Sequence, residues 1–307
     1  MRRSVGGRRP LGHGRSLGTI AAALLLTVML PALSAAGLSV SDQTGRTLTL
    51  PAPPRRIVSL VPSVTEILFA IGAQDVLVGV TDFCDYPPEA RKKPSVGGMV
   101  APSLETIVAL KPDLVVATSA GNGEAVLTQL DRLRIAVYAV NPTHLNDVFD
   151  LIARLGALTG RETEATRLST GLSVRVTAVA KRVAALPRPR VLYVLWPDPL
   201  IVPARGALVS ELLVLAGAAS VTAEGGDGYP RYSLEAAVVG SPEVIILASH
   251  GHGQGPMARE KWERFSALPA VASGRIYSVS GDLLHRYGPR VVDGLEQLAR
   301  LIHPVGP

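Results

Sequence analysis

The stretch SLETIVALKPDLVVATS, Ser103–Ser119, returns in altered form as SLEAAVVGSPEVIILAS at Ser233–Ser249. Both copies open Ser-Leu-Glu, place a proline nine residues after the serine, follow it with an acid, and then run apolar. Ser103 and Ser233 predict helix N-caps, because a serine hydroxyl accepts a free amide of the first turn. Glu105 and Glu235 then lie in that turn, where the helix dipole favours negative charge. Pro112 and Pro242 end the short helices. The apolar runs beyond them, Leu114–Thr118 and Val244–Ala248, predict buried strands.

A second echo makes chance a poor explanation. SVTEILFAIGAQDV at Ser63–Val76 matches LVSELLVLAGAASV at Leu208–Val221, aligning Glu66 with Glu211 and Gly72 with Gly217. Each glutamate follows a Thr or Ser at a helix start and reads as a capping acid. Each glycine suits a helix end. The two echoes come in the same order, offset by 145 (211 − 66) and 130 (235 − 105). The chain therefore reads as two related lobes, the second with a shorter middle.

Working outward, Asp42–Leu50 predicts a leading strand or hairpin, and Arg56–Leu60 the first core strand. Pro62-Ser63 opens a helix, with Ser63 among its first residues. Strands Val76–Val80 and Ile135–Val140 alternate with helices Gly123–Leu133 and Thr143–Leu158, which implies a parallel α/β sheet. Arg161–Leu186 carries Leu168, Leu172, Val176, Val179, Val183 and Leu186 at three- and four-residue steps, the apolar stripe of one long helix. At 1.5 Å per residue it spans roughly 39 Å, the width of a domain. Lobe two then runs from the strand Val191–Leu195 to the strand Arg275–Val279 and the amphipathic helix Pro289–Ile302. The predicted fold is α/β: two Rossmann-like lobes with parallel-rich central sheets, bridged by one long α-helix. The predicted divisions are a leader at 1–36, an N-terminal lobe at 37–160, the connecting helix at 161–187 and a C-terminal lobe at 188–307. One helix joining two lobes makes a stiff strut and disfavours large hinge motion.

The N-terminus has the composition of a secretory signal. Arg2, Arg3, Arg8, Arg9 and Arg15 precede the apolar Leu17–Leu30, and the small residues Ser34-Ala35-Ala36 follow. The apolar run is short for a membrane span. Export by the general or the twin-arginine route is open. Cleavage near Ala36 removes five arginines and takes the formal charge from +6 to about +1 (6 − 5). The remaining chain has no basic run suited to nucleic acid. Cys84 is the single cysteine, so no internal disulfide can form, and no cysteine stands at the cleavage site to take a lipid. The expected product is a soluble periplasmic monomer and not a lipoprotein.

In open α/β sheets, ligands meet the loops at the carboxyl ends of strands. Aromatic residues make up only 4% of this chain, yet Phe83, Tyr86, Trp196 and Tyr287 fall in such loops, and Tyr229 precedes the second repeat. Flat rings suit a flat macrocycle, although a loop aromatic more often packs locally. Tyr86, before Pro87-Pro88, reads as structural.

The runs RIVSLVPSVTEILFAIGA, FCDYPPEA, SLETIVALKPDLVV and GRIYSV…HRYGPRVVDGLEQLARLIHP resemble the cobalamin and iron-complex substrate-binding proteins of bacterial ABC importers. The resemblance covers nearly all of Arg55–Pro304 and is densest in lobe one, where it is most similar to cobalamin-binding members. It implies two α/β lobes bridged by one helix, a ligand held between them, and a two-subunit permease as partner. It places Phe83 and Tyr229 at ligand-contacting aromatic positions, and Asp282 and Arg286 at a polar pair bordering the ligand. Trp196 joins this candidate set from its loop, and Ser63 from its helix start, where backbone amides suit a polar ligand group. Met99 stands where the family usually has an aromatic; a flexible thioether can also cover a ring. Glu105 and Glu235 match the glutamates that meet permease arginines. The implied ligand is cobalamin, with haem or a ferric siderophore as the alternative. No separate cofactor or structural metal is expected.

Other chemistries fare worse. His250 and His252 sit in a Gly-rich loop with no third ligand in view, weak grounds for a metal site. His285 reads as a polar residue of the cleft rim, with axial ligation the alternative. Cys84 between Asp82 and Asp85 has the nucleophile of an enzyme without a histidine nearby in sequence. No nucleophile elbow, P-loop or dinucleotide fingerprint occurs, so an exported Rossmann-like hydrolase or oxidoreductase is the poorer class.

Overall fold

The structure, a computed structural model, describes residues 38–118, 121–249 and 255–304, without the side chains of 255–258. The leader, His250 and His252 lie outside the described residues.

The duplicated punctuation produces duplicated turns. Ser103 Oγ accepts the amide of Thr106 at 3.2 Å and Ser233 Oγ accepts that of Ala236 at 3.1 Å, each starting a six-residue helix. Both helices stop just ahead of the prolines, where Lys111 and Ser241 take positive φ of 46° and 45°. The acid after each proline then ties the turn to the start of its lobe. Asp113 accepts the amide of Arg56 at 2.9 Å, and Glu243 accepts that of Arg190 at 2.9 Å. The two arginines in turn donate through Nε to the carbonyls of Lys111 and Ser241, closing the helix ends.

Lobe one comprises β1 (Leu38–Ser41), β2 (Thr47–Leu50), β3 (Ile57–Ser59), α1 (Pro62–Ala70), β4 (Leu77–Val80), α2 (Leu104–Ala109), β5 (Leu114–Thr118), α3 (Glu124–Arg132), β6 (Val137–Val140) and α4 (Leu145–Thr159). Helix α5 (Glu162–Val183) leads to β7 (Arg190–Val194), β8 (Trp196–Pro197), β9 (Leu200–Ile201) and α6 (Leu208–Leu215). Lobe two continues with β10 (Ala219–Ser220), α7 (Leu234–Val239), β11 (Val244–Ser249), α8 (Gly255–Glu263), α9 (Pro269–Ala272), β12 (Ile276–Ser280), α10 (Gly281–His285) and α11 (Val291–Ile302). The two central sheets are parallel, with strand orders β4-β3-β5-β6 and β10-β7-β11-β12. These orders coincide strand for strand, so the repeat in the sequence is a repeat of topology.

The central strands of each sheet are buried on both faces, as in parallel sheets. The outer faces form separate cores, Leu60, Ile107 and Leu130 in lobe one, and Leu192, Ile245 and Trp262 in lobe two. The inner faces belong to one continuous core that runs through α5 from Leu155 and Leu158 to Leu212, Leu295 and Ile302. Leu172, Val179 and Val183 are the buried part of the predicted stripe, joined by Ala165. The helix is 22 residues, roughly 33 Å at 1.5 Å per residue, shorter than expected because Leu186 lies beyond its end and exposed. Arg175 also ties α5 to α11, donating to Asp293 at 2.5 Å and Glu296 at 2.8 Å. The strut is therefore a shared core element rather than a bare connector.

Candidate functional site

A cavity of about 490 Å³ opens between the lobes. Lobe one lines it from the carboxyl ends of its strands: Pro62 and Ser63 after β3, Phe83 after β4, Thr118 and Gly121 at β5, Asn141 and Pro142 after β6. Lobe two adds Asp282, His285, Arg286 and Tyr287 from the segment that follows β12. Strand ends, where the chain turns and its side chains are not committed to the sheet, carry the site as the sheet rule requires.

Of the residues singled out in the sequence, Ser63, Phe83, Met99, Asp282 and Arg286 line this cavity. Phe83 stands at the rim, 57% exposed. Met99 packs toward the bare backbone of Gly121, where an added Cβ would come within 2.6 Å of Cε. Asn122 Nδ2 donates to the Met99 carbonyl at 2.6 Å, which fixes that loop. Helix α1 begins at Pro62 with Val61 as its N-cap, and Ser63 is buried in the first turn.

Two of the predicted residues lie outside the lining of this cavity. Tyr229 is not among the lining residues; it stands behind Tyr287, and the two hydroxyls lie 2.9 Å apart. Its ring meets His285 edge-on at 5.9 Å, and burial pushes its hydroxyl pKa well up. Trp196 also stays out of the cavity, its indole donating to the carbonyl of Asp198 at 2.9 Å in its own hairpin. His285 does line the cavity, with Nε2 2.8 Å from the buried hydroxyl of Tyr193.

The charged groups at the cavity edge form one network across the lobes. Arg286, 14% exposed, donates through Nε to Asp282 at 3.0 Å and through Nη1 to Asp85 at 2.5 Å. The Arg286 hydrogen bond holds the Asp85 carboxyl below its ordinary value. Arg290 donates to both oxygens of Glu66, at 2.5 and 3.0 Å, and lies 3.9 Å over the ring of Tyr86. Glu66 is only 3% exposed. Burial pushes its carboxyl up, opposed by the hydrogen bonds and charge of Arg290. Glu66 is thus an interlobe ion-pair partner, and the helix-start reading of it was too local.

Sequence reasoning passed over the loop after β6, and with it Asn141 and Pro142. A stricter use of the strand-end rule would have included it. Asp85 and Arg290 lie in runs that carry the family resemblance, but nothing local to either points to its partner across the lobes. Glu105 and Glu235 are exposed in the first turns of α2 and α7, away from the cavity lining. Ser233 Oγ also donates to Glu235 at 2.7 Å. Among the described residues, no group of His, Cys, Asp and Glu is placed to hold a metal ion, and no helix is long and apolar enough to cross a membrane. Burial pushes the Cys84 thiol up, the reverse of an activated nucleophile.

The sequence model of one family, described as periplasmic binding protein, matches residues 57–283. The chain belongs to the periplasmic binding protein family. Among curated relatives, the vitamin B12-binding protein of Vibrio cholerae is 32% identical over 251 residues, covering 82% of this chain and 90% of its own. The crystal structure of the periplasmic vitamin B12-binding protein BtuF of Vibrio cholerae aligns with a TM-score of 0.72 at 31% identity, over 81% of this chain and 97% of that one. A periplasmic heme-binding protein from Pseudomonas aeruginosa aligns with a TM-score of 0.74 at 27% identity, over 83% and 94%. This periplasmic binding protein therefore shares its two-lobed α/β architecture with proteins described as binding either macrocycle.

Proposed function

We propose that this protein captures a corrinoid, cobalamin or a close relative, in the interlobe cavity and delivers it to an ABC importer without acting as an enzyme. The observation that carries the choice of ligand is electrostatic. Asp282 and Arg286 are the charged side chains lining the cavity among the described residues, and they are paired with each other. The remaining wall is apolar or neutral: Val61, Phe83, Met99, Val140, Asn141 and Tyr287 among others. A corrin ring is fringed with neutral amides, whereas haem carries carboxylates that need a cation to replace their water. A wall whose one arginine is already engaged favours the first. Phe83, Met99 and Tyr287 cover the ring, and Asn141 and Ser63 meet its amides. Tyr229 acts by holding Tyr287. The similarity to vitamin B12-binding proteins supports the same reading.

Haem is the second reading, favoured by His285, whose imidazole reaches the cavity, and by the likeness to heme-binding structures. For delivery, the exposed Glu105 and Glu235 stand at corresponding places on the two lobes and suit docking to a pair of arginines on a two-subunit permease. The leader sends a soluble monomer to the periplasm. Titrating the mature protein with cyanocobalamin, haemin and ferric siderophores, read by absorbance and intrinsic fluorescence, ranks the ligands. Cyanocobalamin binds most tightly on this reading; preference for haemin or a siderophore overturns it.

A further inference from the structure

The duplicated glutamates do the same thing on opposite sides of the cleft. Glu66, on α1 of lobe one, holds Arg290 at the N-terminus of α11 in lobe two. Glu211, on α6 of lobe two, accepts the amide of Leu145 at 3.0 Å and lies 3.5 Å from His144 Nδ1, at the N-terminus of α4 in lobe one. The offset between the glutamates is 145 (211 − 66), and between their partner positions 146 (290 − 144). Each acid thus reaches from its own lobe to the closing helix of the other.

What those helices follow gives the contacts their meaning. Asn141 and Pro142 line the cavity immediately before α4, and Arg286 and Tyr287 line it immediately before α11. These segments too are related by an offset of 145 (286 − 141). Gly288 is pressed against α1, where an added Cβ would fall 2.9 Å from Glu66 Oε2 and 3.4 Å from the Cα of Ser63. The carboxylate therefore packs against the backbone next to the lining residues as well as holding a distant guanidinium.

We propose that Glu66 and Glu211 are positioning residues of the ligand site, each carried by one lobe and each fixing the cavity-lining segment of the other. The pair sets the width of the cavity and the rate at which ligand leaves it. The two straps are unequal. Glu66 is buried and makes a bidentate ion pair, whereas Glu211 and His144 are partly exposed, with side chains 35% and 56% accessible. Release of ligand begins with parting on the Glu211 side. The proposal rests on the cavity being the ligand site, so one arm of its test does not use ligand.

Nitroxides on the exposed Val108→Cys and Val239→Cys, one on each lobe, report the interlobe distance in the ligand-free protein by pulsed electron resonance. Glu211→Gln removes the weaker strap at a partly exposed position and leaves the melting temperature near that of the parent. It broadens the distance distribution and speeds cyanocobalamin dissociation about three- to tenfold, the change falling on dissociation as it does for most weakened sites. Glu66→Gln broadens the distribution further; if it does not fold, Glu211→Gln decides alone. An unchanged distance distribution in Glu211→Gln overturns the proposal, whatever the ligand. Failure of cyanocobalamin to bind the parent would instead strike the ligand reading and leave the distance arm to decide.

Discussion

Asp282→Asn should free one edge of the Arg286 guanidinium in the cavity wall. In the parent, Asp282 Oδ1 takes Nε and Nη2 of Arg286 at 3.0 and 2.9 Å, and Asp85 takes Nη1. Removing the Asp282 charge leaves the guanidinium bonded to Asp85, with Glu66 3.9 Å away, and a free edge toward the ligand. Asp282 is 51% exposed, so solvent screens the pair, and the freed edge is worth about 1 kcal/mol to an incoming carboxylate, or about fivefold in affinity. Haemin affinity should rise by that factor while cyanocobalamin affinity changes by less than about twofold. Parallel titrations of parent and variant, read by Soret absorbance for haemin and fluorescence quenching for cyanocobalamin, measure both. Unchanged haemin affinity would refute the argument that charge pairing in the wall selects the ligand.

Phe83→Ala removes an exposed rim ring and should cost about 1–2 kcal/mol of cyanocobalamin affinity by calorimetry, with little change in melting temperature. Leu172→Ala opens a hole in the core shared by both lobes and should destabilise the fold by about 2–5 kcal/mol in denaturant unfolding, more than its distance from the ligand would imply. Asp85 has its carboxyl lowered by Arg286, so its contribution is complete above the ordinary value of 3.8 and is lost as pH falls below it. Thermal melts across that range should show a steeper acid loss in the parent than in Asp85→Asn. Glu105→Gln with Glu235→Gln should leave folding and ligand affinity unchanged and weaken binding to the permease at physiological salt.

The parts of the molecule written locally were readable from the sequence. Ser103 and Ser233 cap because a hydroxyl and an amide three residues on are neighbours in any helix start. Gly72 and Gly217 end helices at φ of 72° and 78° because that turn needs a residue without a Cβ. The length and apolar stripe of α5 gave the strut in the same way. The cavity depends instead on pairs far apart in the chain. Glu66 and Arg290 are 224 residues apart, and Asp85 and Arg286 are 201. No periodicity links such residues, so the helix-start reading of Glu66 was the best that local rules allowed. Its recurrence as Glu211 was the one clue, since a cap can be met by several residue types and does not require Glu twice. Tyr229 fell outside the lining for a related reason: its place behind Tyr287 is set by packing between two loops.

The most direct test of the account is a crystal structure of the mature protein soaked with cyanocobalamin. The corrin ring should lie in the interlobe cavity, flanked by Phe83, Met99 and Tyr287, with Arg286 still bound to Asp282 and Asp85. A corrin ring found outside the cavity, or an Arg286 drawn off both carboxylates to hold the ligand, would contradict it.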